Sequence, residues 1–172
     1  MNYETYIIKA IQAAIEAGRA ILDVYHSDFS VEYKTDSSPL TLADRNSHEV
    51  IVKYLSEFDI PILSEEGKNI PYAERKSWDR LWIVDPLDGT KEFVKRNGEF
   101  TVNIALVDNH KPVLGVIFVP DKKALFFAAS GLGAYKLEKN FETQTVDSSQ
   151  SHDSPQDRLN DYIEMAERLP AN

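Results

Sequence analysis

Between Arg80 and Glu138 the chain lays down five β-prone runs with almost nothing between them. "RLWIVD", "FTVNIALVD" (100–108), "KPVLGVIFVP" (111–120), "ALFFAA" (124–129) and "GAYKLE" (133–138) follow at short intervals. The connectors "NHK", "PDKK" and "SGLG" are short and rich in turn formers, so each strand folds back on its neighbour as an antiparallel meander. Helical patterns occupy the residues before the meander. Helices first and strands later predict an α+β layered domain rather than alternating βαβ units.

The first helix is predicted over roughly 3–25, where Tyr3, Ile7, Ala10, Ala14, Ala17, Ile21 and Tyr25 recur at three- and four-residue steps. "VEYK" (31–34) is a short strand candidate and "TDSSP" (35–39) a loop. A second helix is expected over roughly 42–58, with Val50, Ile51, Tyr54, Leu55 and Phe58 on its buried side. Thr41 would be its N-cap and Asp44 would complete a capping box. "IPILSEEGKNIP" (60–71) contains a short apolar strand that ends in two glutamates.

The tail differs from what precedes it. Residues 138–154 are polar and loop-like, and then "SPQDRLNDYIEMAERLPAN" restarts a helix. Ser154 is set as N-cap, Pro155 as the first helical residue and Asp157 as the capping-box acid. Leu159, Tyr162, Ile163, Ala166 and Leu169 form an apolar stripe that needs something to cover. Folding back on the sheet would cover it. A second domain or a partner chain, including self-association through this helix, would do so as well.

The chemistry lies at the ends of two strands. In "WIVDPLDGTKEF" (82–93), Asp85 follows an apolar strand, where its charge is costly unless paired or metal-bound. Pro86 and the Asp88-Gly89 pair make a turn, and the hexapeptide alone reads equally as turn or site. That bend can direct the Asp85 and Asp88 carboxylates and the Leu87 carbonyl toward one point, an all-oxygen set that suits Mg²⁺. Gly89 and Thr90 open a short helical turn whose amides could hold a phosphate. Glu65 and Glu66 in "SEE" (64–66) form a second acidic strand end, a solvated pair unless it lies beside Asp85. Lys34 and Asp36 read as loop charges. His26, His48, His110 and His152 are scattered without ligand spacing and read as structural or surface residues.

Composition narrows the classes. The chain has no cysteine, which excludes disulfides, thiolate zinc sites and thiol nucleophiles and fits a reducing cytoplasm. The net charge of −9 repels nucleic-acid polymers and anionic membranes. A small phosphorylated substrate is compatible with that charge if bound divalent cations invert its sign locally. No apolar run approaches transmembrane length, and the N-terminus lacks the basic start and cleavage site of a signal peptide.

Asp44 in "LTLAD", Glu65-Glu66 in "ILSEE" and the "WIVDPLDGT" element occur in the order and approximate spacing of the inositol monophosphatase-like, lithium-sensitive phosphatases. The run "KEFVKRNGEFTVNIALV" most resembles their 3'(2'),5'-bisphosphate nucleotidase branch. The resemblance covers about residues 3–155. It implies the layered sugar-phosphatase fold, with N-terminal helices packed on a largely antiparallel sheet. It also implies two or three Mg²⁺ ions and hydrolysis of a small bisphosphorylated nucleotide, 3'-phosphoadenosine 5'-phosphate, to AMP and phosphate. Sulfur metabolism in the cytoplasm, with the surface of the inner membrane as a further location, follows from the same resemblance.

Residue by residue, the resemblance makes Glu65, Asp85 and the Leu87 carbonyl ligands of the first Mg²⁺, with Asp85 and Asp88 holding the second. Asp44, Glu65 and Thr90 would be catalytic, Thr90 hydrogen-bonded to Asp44 and helping to take the proton of the attacking water. Gly89 and Thr90 amides would grip the phosphate, with Glu66 and Lys34 in supporting roles. The family also carries a later W-D-x-A-A-G-type motif. Here the two tryptophans, Trp78 and Trp82, both precede Asp85. The expectation is therefore an N-terminal metal-binding domain over 1–146, with 147–172 as a linker and the start of a truncated C-terminal domain, and feeble turnover by these residues alone.

Overall fold

The first helix, α1 (Glu4–Tyr25), runs across one face of a sheet, and its small residues set how closely it can lie. The computed structural model describes residues 3–27, 39–138 and 154–170. Ala10, Ala13, Ala14 and Ala17 have no exposed surface and let α2 (Pro39–Leu55) pack alongside. A Cβ on Gly18 would overlap the Phe118 ring, so glycine is what allows α1 to settle on the sheet.

Among the described residues the sheet has seven strands in sequence order: β1 (Ile62–Ser64), β2 (Arg80–Asp88), β3 (Thr101–Asp108), β4 (Lys111–Val119), β5 (Ala124–Ala129), β6 (Gly133–Glu138) and β7 (Glu167–Arg168). From β2 to β7 every pairing is antiparallel, and only β1 lies parallel, on β2. The β3–β4 hairpin turns on Asn109 and His110, both at positive φ, as a two-residue hairpin requires. The helix-facing side of the sheet presents Trp82, Val84, Val102, Ile104, Leu106, Leu114, Val116, Phe118, Leu125 and Phe127, all buried against the helices. Each large apolar side chain fully buried here contributes about 1.5–3 kcal/mol. The opposite side is wetter, with Ile83 and Ile117 nearly half exposed.

α+β layering and the antiparallel meander match the expected class, and the bounds of β5 and β6 fall where the apolar runs do. Three expectations need correction. α2 begins at Pro39, not after Thr41, because proline opens a helix without losing a bond. Thr41 is therefore inside the helix and is not its N-cap, and Asp44 is not a capping-box acid. The one-turn helix α3 (Tyr72–Arg75) has no buried residue and so left no apolar pattern to read. After α5 (Pro155–Met165) the chain does not continue as helix but extends into β7, which pairs with β6. The strand candidate at 31–34, with Lys34, and the loop with Asp36 lie outside the described residues.

The tail's stripe is covered by the chain itself. α5 packs on α1 and β6, burying Leu159 completely and Tyr162 almost so. Its start is as expected: Ser154 accepts from the Asp157 amide, and Asp157 accepts from the Ser154 amide. The tail thus adds a strand and a helix to the same layers, and Leu159 and Tyr162 are not free to meet a partner.

Candidate active site

β1 and β2 run parallel, so their C-terminal ends reach the same edge of the sheet, and each ends in acids. The register pairs Ser64 with Val84, and the Glu65 amide donates to the Val84 carbonyl at 3.1 Å. Glu65 therefore emerges beside Asp85. β2 is irregular at this point: Asp85 pairs with Asn103 and Asp88 with Thr101, leaving one extra residue on β2. That bulge contains Pro86, which has no amide to contribute to a ladder. Bulges re-aim side chains, and this one lies between two aspartates.

Asp85 closes on its own bulge, accepting from the Leu87 amide, while the Leu87 side chain is buried. Burial, followed by the charges of Glu65 and Asp88, pushes the Asp85 carboxyl up to about 6 despite that amide. Its carboxyl also meets that of Glu65 within hydrogen-bonding reach. Asp44, on α2, faces the same space. Burial, then the charges of Glu66, Asp85 and Glu65, and a hydrogen bond with Glu66 push its carboxyl up to about 7. Asp44 Oδ1 is buried with no hydrogen-bond partner. Acids from α2, β1 and β2 thus repel one another at one point, at a cost that proteins tolerate where the charge has a use.

Asp88 is exposed and is steadied by Asn103, whose Nδ2 donates to Asp88 Oδ2 at 3.3 Å and to Thr101 Oγ1 at 3.1 Å. After Asp88 the chain turns through Gly89, at φ +94°, into α4 (Thr90–Lys95). Residues at the start of a helix have amides with no earlier carbonyl to bond. Phe93 roots α4 in the core, in a ring cluster with Tyr25 and Phe100 whose centroids lie 5.0–5.5 Å apart.

The structure brings together Asp44, Glu65, Glu66 and Asp85, and sets Leu87, Asp88, Gly89 and Thr90 on the adjoining bulge and turn. The bond expected between Asp44 and Thr90 is not made; Asp44 is turned to Glu66 instead. Lys34 lies outside the described residues. Among the described residues no three His, Asp or Glu side chains stand in ligating geometry. The carboxyls meet in pairs, Asp44 with Glu66 and Asp85 with Glu65, and each such pair can share a proton. A divalent cation exchanges for such protons, and an all-oxygen donor set with an orphaned buried Asp44 oxygen fits a hard one.

Three residues at this site carried no motif. Ser47 donates to the Pro86 carbonyl at 2.7 Å, His48 Nδ1 lies 2.8 Å from Ser64 Oγ, and Asn103 holds Asp88. The one signal available in the sequence is position: Ser47 and His48 follow Asp44 by three and four residues on a helix, hence share its face.

The family model described as the inositol monophosphatase family matches residues 2–164. The 3'(2'),5'-bisphosphate nucleotidase CysQ of Salmonella typhimurium is 46% identical over 167 residues, covering 90% of this chain and 66% of that protein. Among solved structures, CysQ from Bacteroides thetaiotaomicron superposes with a TM-score of 0.84 at 51% identity, covering 99% of this chain and 59% of that one. The inositol monophosphatase of Zymomonas mobilis is more distant, with a TM-score of 0.66 at 28% identity over 81% of this chain and 53% of that one. The chain thus spans between half and two thirds of the length of these relatives.

Proposed function

The chain belongs to the inositol monophosphatase family, and from that premise we propose that it takes part in Mg²⁺-dependent phosphomonoester hydrolysis in the cytoplasm. The substrate we assign is a 3'(2'),5'-bisphosphate nucleotide, 3'-phosphoadenosine 5'-phosphate, which yields AMP and phosphate. The observation that carries this reading is the convergence of Asp44, Glu65, Glu66 and Asp85, two of whose carboxyls are pushed up to about 7 and about 6. Mutual repulsion on that scale is what divalent cations relieve. The substrate class is supported by the CysQ relatives, 46% identical in the Salmonella typhimurium protein and 51% in the Shigella flexneri one.

Glu65, Asp85 and the Leu87 carbonyl would hold one Mg²⁺, and Asp85 and Asp88 a second. When bound, the ions supply a nucleophilic water at neutral pH and offset charge on the phosphate oxygens. The chain's own groups do the rest. Asp44 would accept the proton, directly or through the Thr90 hydroxyl at the head of α4. Burial, and then the charge of Glu66 beside it, raise that carboxyl in the metal-free chain. The Gly89 and Thr90 amides, at the head of α4, would grip the phosphate. Asn103 keeps Asp88 oriented between these amides and Asp85.

The test is phosphate release from 3'-phosphoadenosine 5'-phosphate at varied Mg²⁺, with inositol monophosphate and fructose 1,6-bisphosphate as competitors. Mg²⁺-dependent release that prefers the bisphosphorylated nucleotide, abolished by Asp88→Asn, is the expected outcome. Preference for the inositol or sugar phosphate would reassign the substrate within the family. Mg²⁺ binding without release would leave a non-catalytic metal- or phosphate-binding module, and absence of both would leave a structural domain with an ordinary turn at Asp85–Thr90.

A further inference from the structure

α2 touches both acid-bearing strand ends with a single turn. Ser47 has no exposed surface, and its hydroxyl leaves its own helix to donate to the Pro86 carbonyl at 2.7 Å. Serines inside helices more often bond the carbonyl one turn back. Pro86 lies inside the bulge that separates Asp85 from Asp88. The next residue, His48, places Nδ1 2.8 Å from Ser64 Oγ. Ser64 is the last residue of β1 and immediately precedes Glu65. Asp44 lies one turn earlier on the same helix face.

The backbone alone secures these ends weakly. β1 has three residues and is the edge strand, joined to β2 by three registered pairs. Beyond them the Glu65 amide adds one bond to Val84. At the bulge the β2–β3 ladder is interrupted. Four carboxyls that repel when ionised therefore sit on backbone that could part. A rigid helix gripping both ends opposes that parting.

We propose that Ser47 and His48 are positioning residues: through them α2 clamps the β1 end and the β2 bulge, keeping Glu65–Glu66 and Asp85–Asp88 convergent when charged. The inference rests on reading those carboxylates as a cation site. Neither residue is among the proposed cation ligands. Each acts on a neighbour of an acid, His48 through Ser64 and Ser47 through the Pro86 carbonyl.

The test is calorimetric titration of the full chain with Mn²⁺ as the probe, with the melting temperature of each variant in chelator recorded alongside. Ser47→Ala and His48→Ala should each weaken Mn²⁺ binding about tenfold, as loss of a group orienting a ligand does. His48→Asn, whose amide reaches the position of Nδ1, should recover most of that loss. Ser64→Ala should match His48→Ala, and the double variant should be no worse than either, because one bond is lost in all three. Wild-type Mn²⁺ affinity in both alanine variants would overturn the clamp and leave the cation site standing. Weakening that His48→Asn fails to restore, and that follows the fall in melting temperature, would also overturn it. Failure of the unaltered chain to bind Mn²⁺ would remove the cation site and the clamp together.

Discussion

Gly89 shows how much of this site depends on a missing atom. Its φ is +94°, and a Cβ there would stand 2.9 Å from the Glu99 carbonyl oxygen and 3.1 Å from Phe100 Cα, both backbone atoms that cannot swing aside. Gly131 has a similar φ of +84°, but a Cβ there would meet nothing within 4 Å. The two glycines separate conformational strain from crowding. Gly131→Ala should cost about 1–2 kcal/mol, the left-handed penalty alone. Gly89→Ala should cost about 1–3 kcal/mol more, as overpacking does. Denaturation midpoints at unchanged m-value would read both, and equal losses would mean that the turn into α4 yields. Asp85 and Asp88 are conspicuous in the sequence because they close an apolar strand; Glu65 gains meaning only beside Asp85, and Asp44, on α2, reads as a helix-cap acid until the family resemblance is drawn. Ser47, His48 and Asn103 are not legible in the sequence, because a neutral hydrogen-bonding side chain has no spacing signature until its partner's position is known.

At the scale of elements, legibility follows apolar content. The meander can be read nearly to the residue because each strand is an apolar run closed by turn formers. α3 has no buried side chain and β7 is two exposed residues, so neither writes a period into the sequence. The apolar run of β2 ends at Asp85, yet the strand resumes pairing at Asp88 after its bulge, a register event that only the partner strand reveals. The helix after Ser154 can be read, but not what its stripe covers. Leu159 is fully buried against α1 and β6, so Leu159→Ala should cost about 2–5 kcal/mol of folding stability. Met165, at the end of α5 and 40% exposed, is the comparison: Met165→Ser should stay within about 0.5 kcal/mol of the parent. If Leu159→Ala were as mild as Met165→Ser in urea titrations, α5 would not be part of the cooperative unit.

The whole molecule carries nine negative charges in excess and gathers several of them at one edge of its sheet. That arrangement sets how its stability must depend on pH. Asp44 and Asp85 have carboxyls raised from 3.8 to about 7 and about 6, so the folded chain holds protons that the unfolded chain has released. Their contribution is fully present below about pH 4 and is lost as pH rises through 6 and 7. In chelator, the melting temperature should therefore fall between pH 5 and pH 8, and general repulsion among the excess charges acts in the same direction. Mg²⁺ competes with those same protons, so its stabilising shift should grow over the interval in which the chelated protein weakens. Asp44→Asn tests the source, since an amide can still donate to Glu66 but cannot ionise: it should flatten the decline in chelator. A decline unchanged in Asp44→Asn would assign the titration to Asp85 instead.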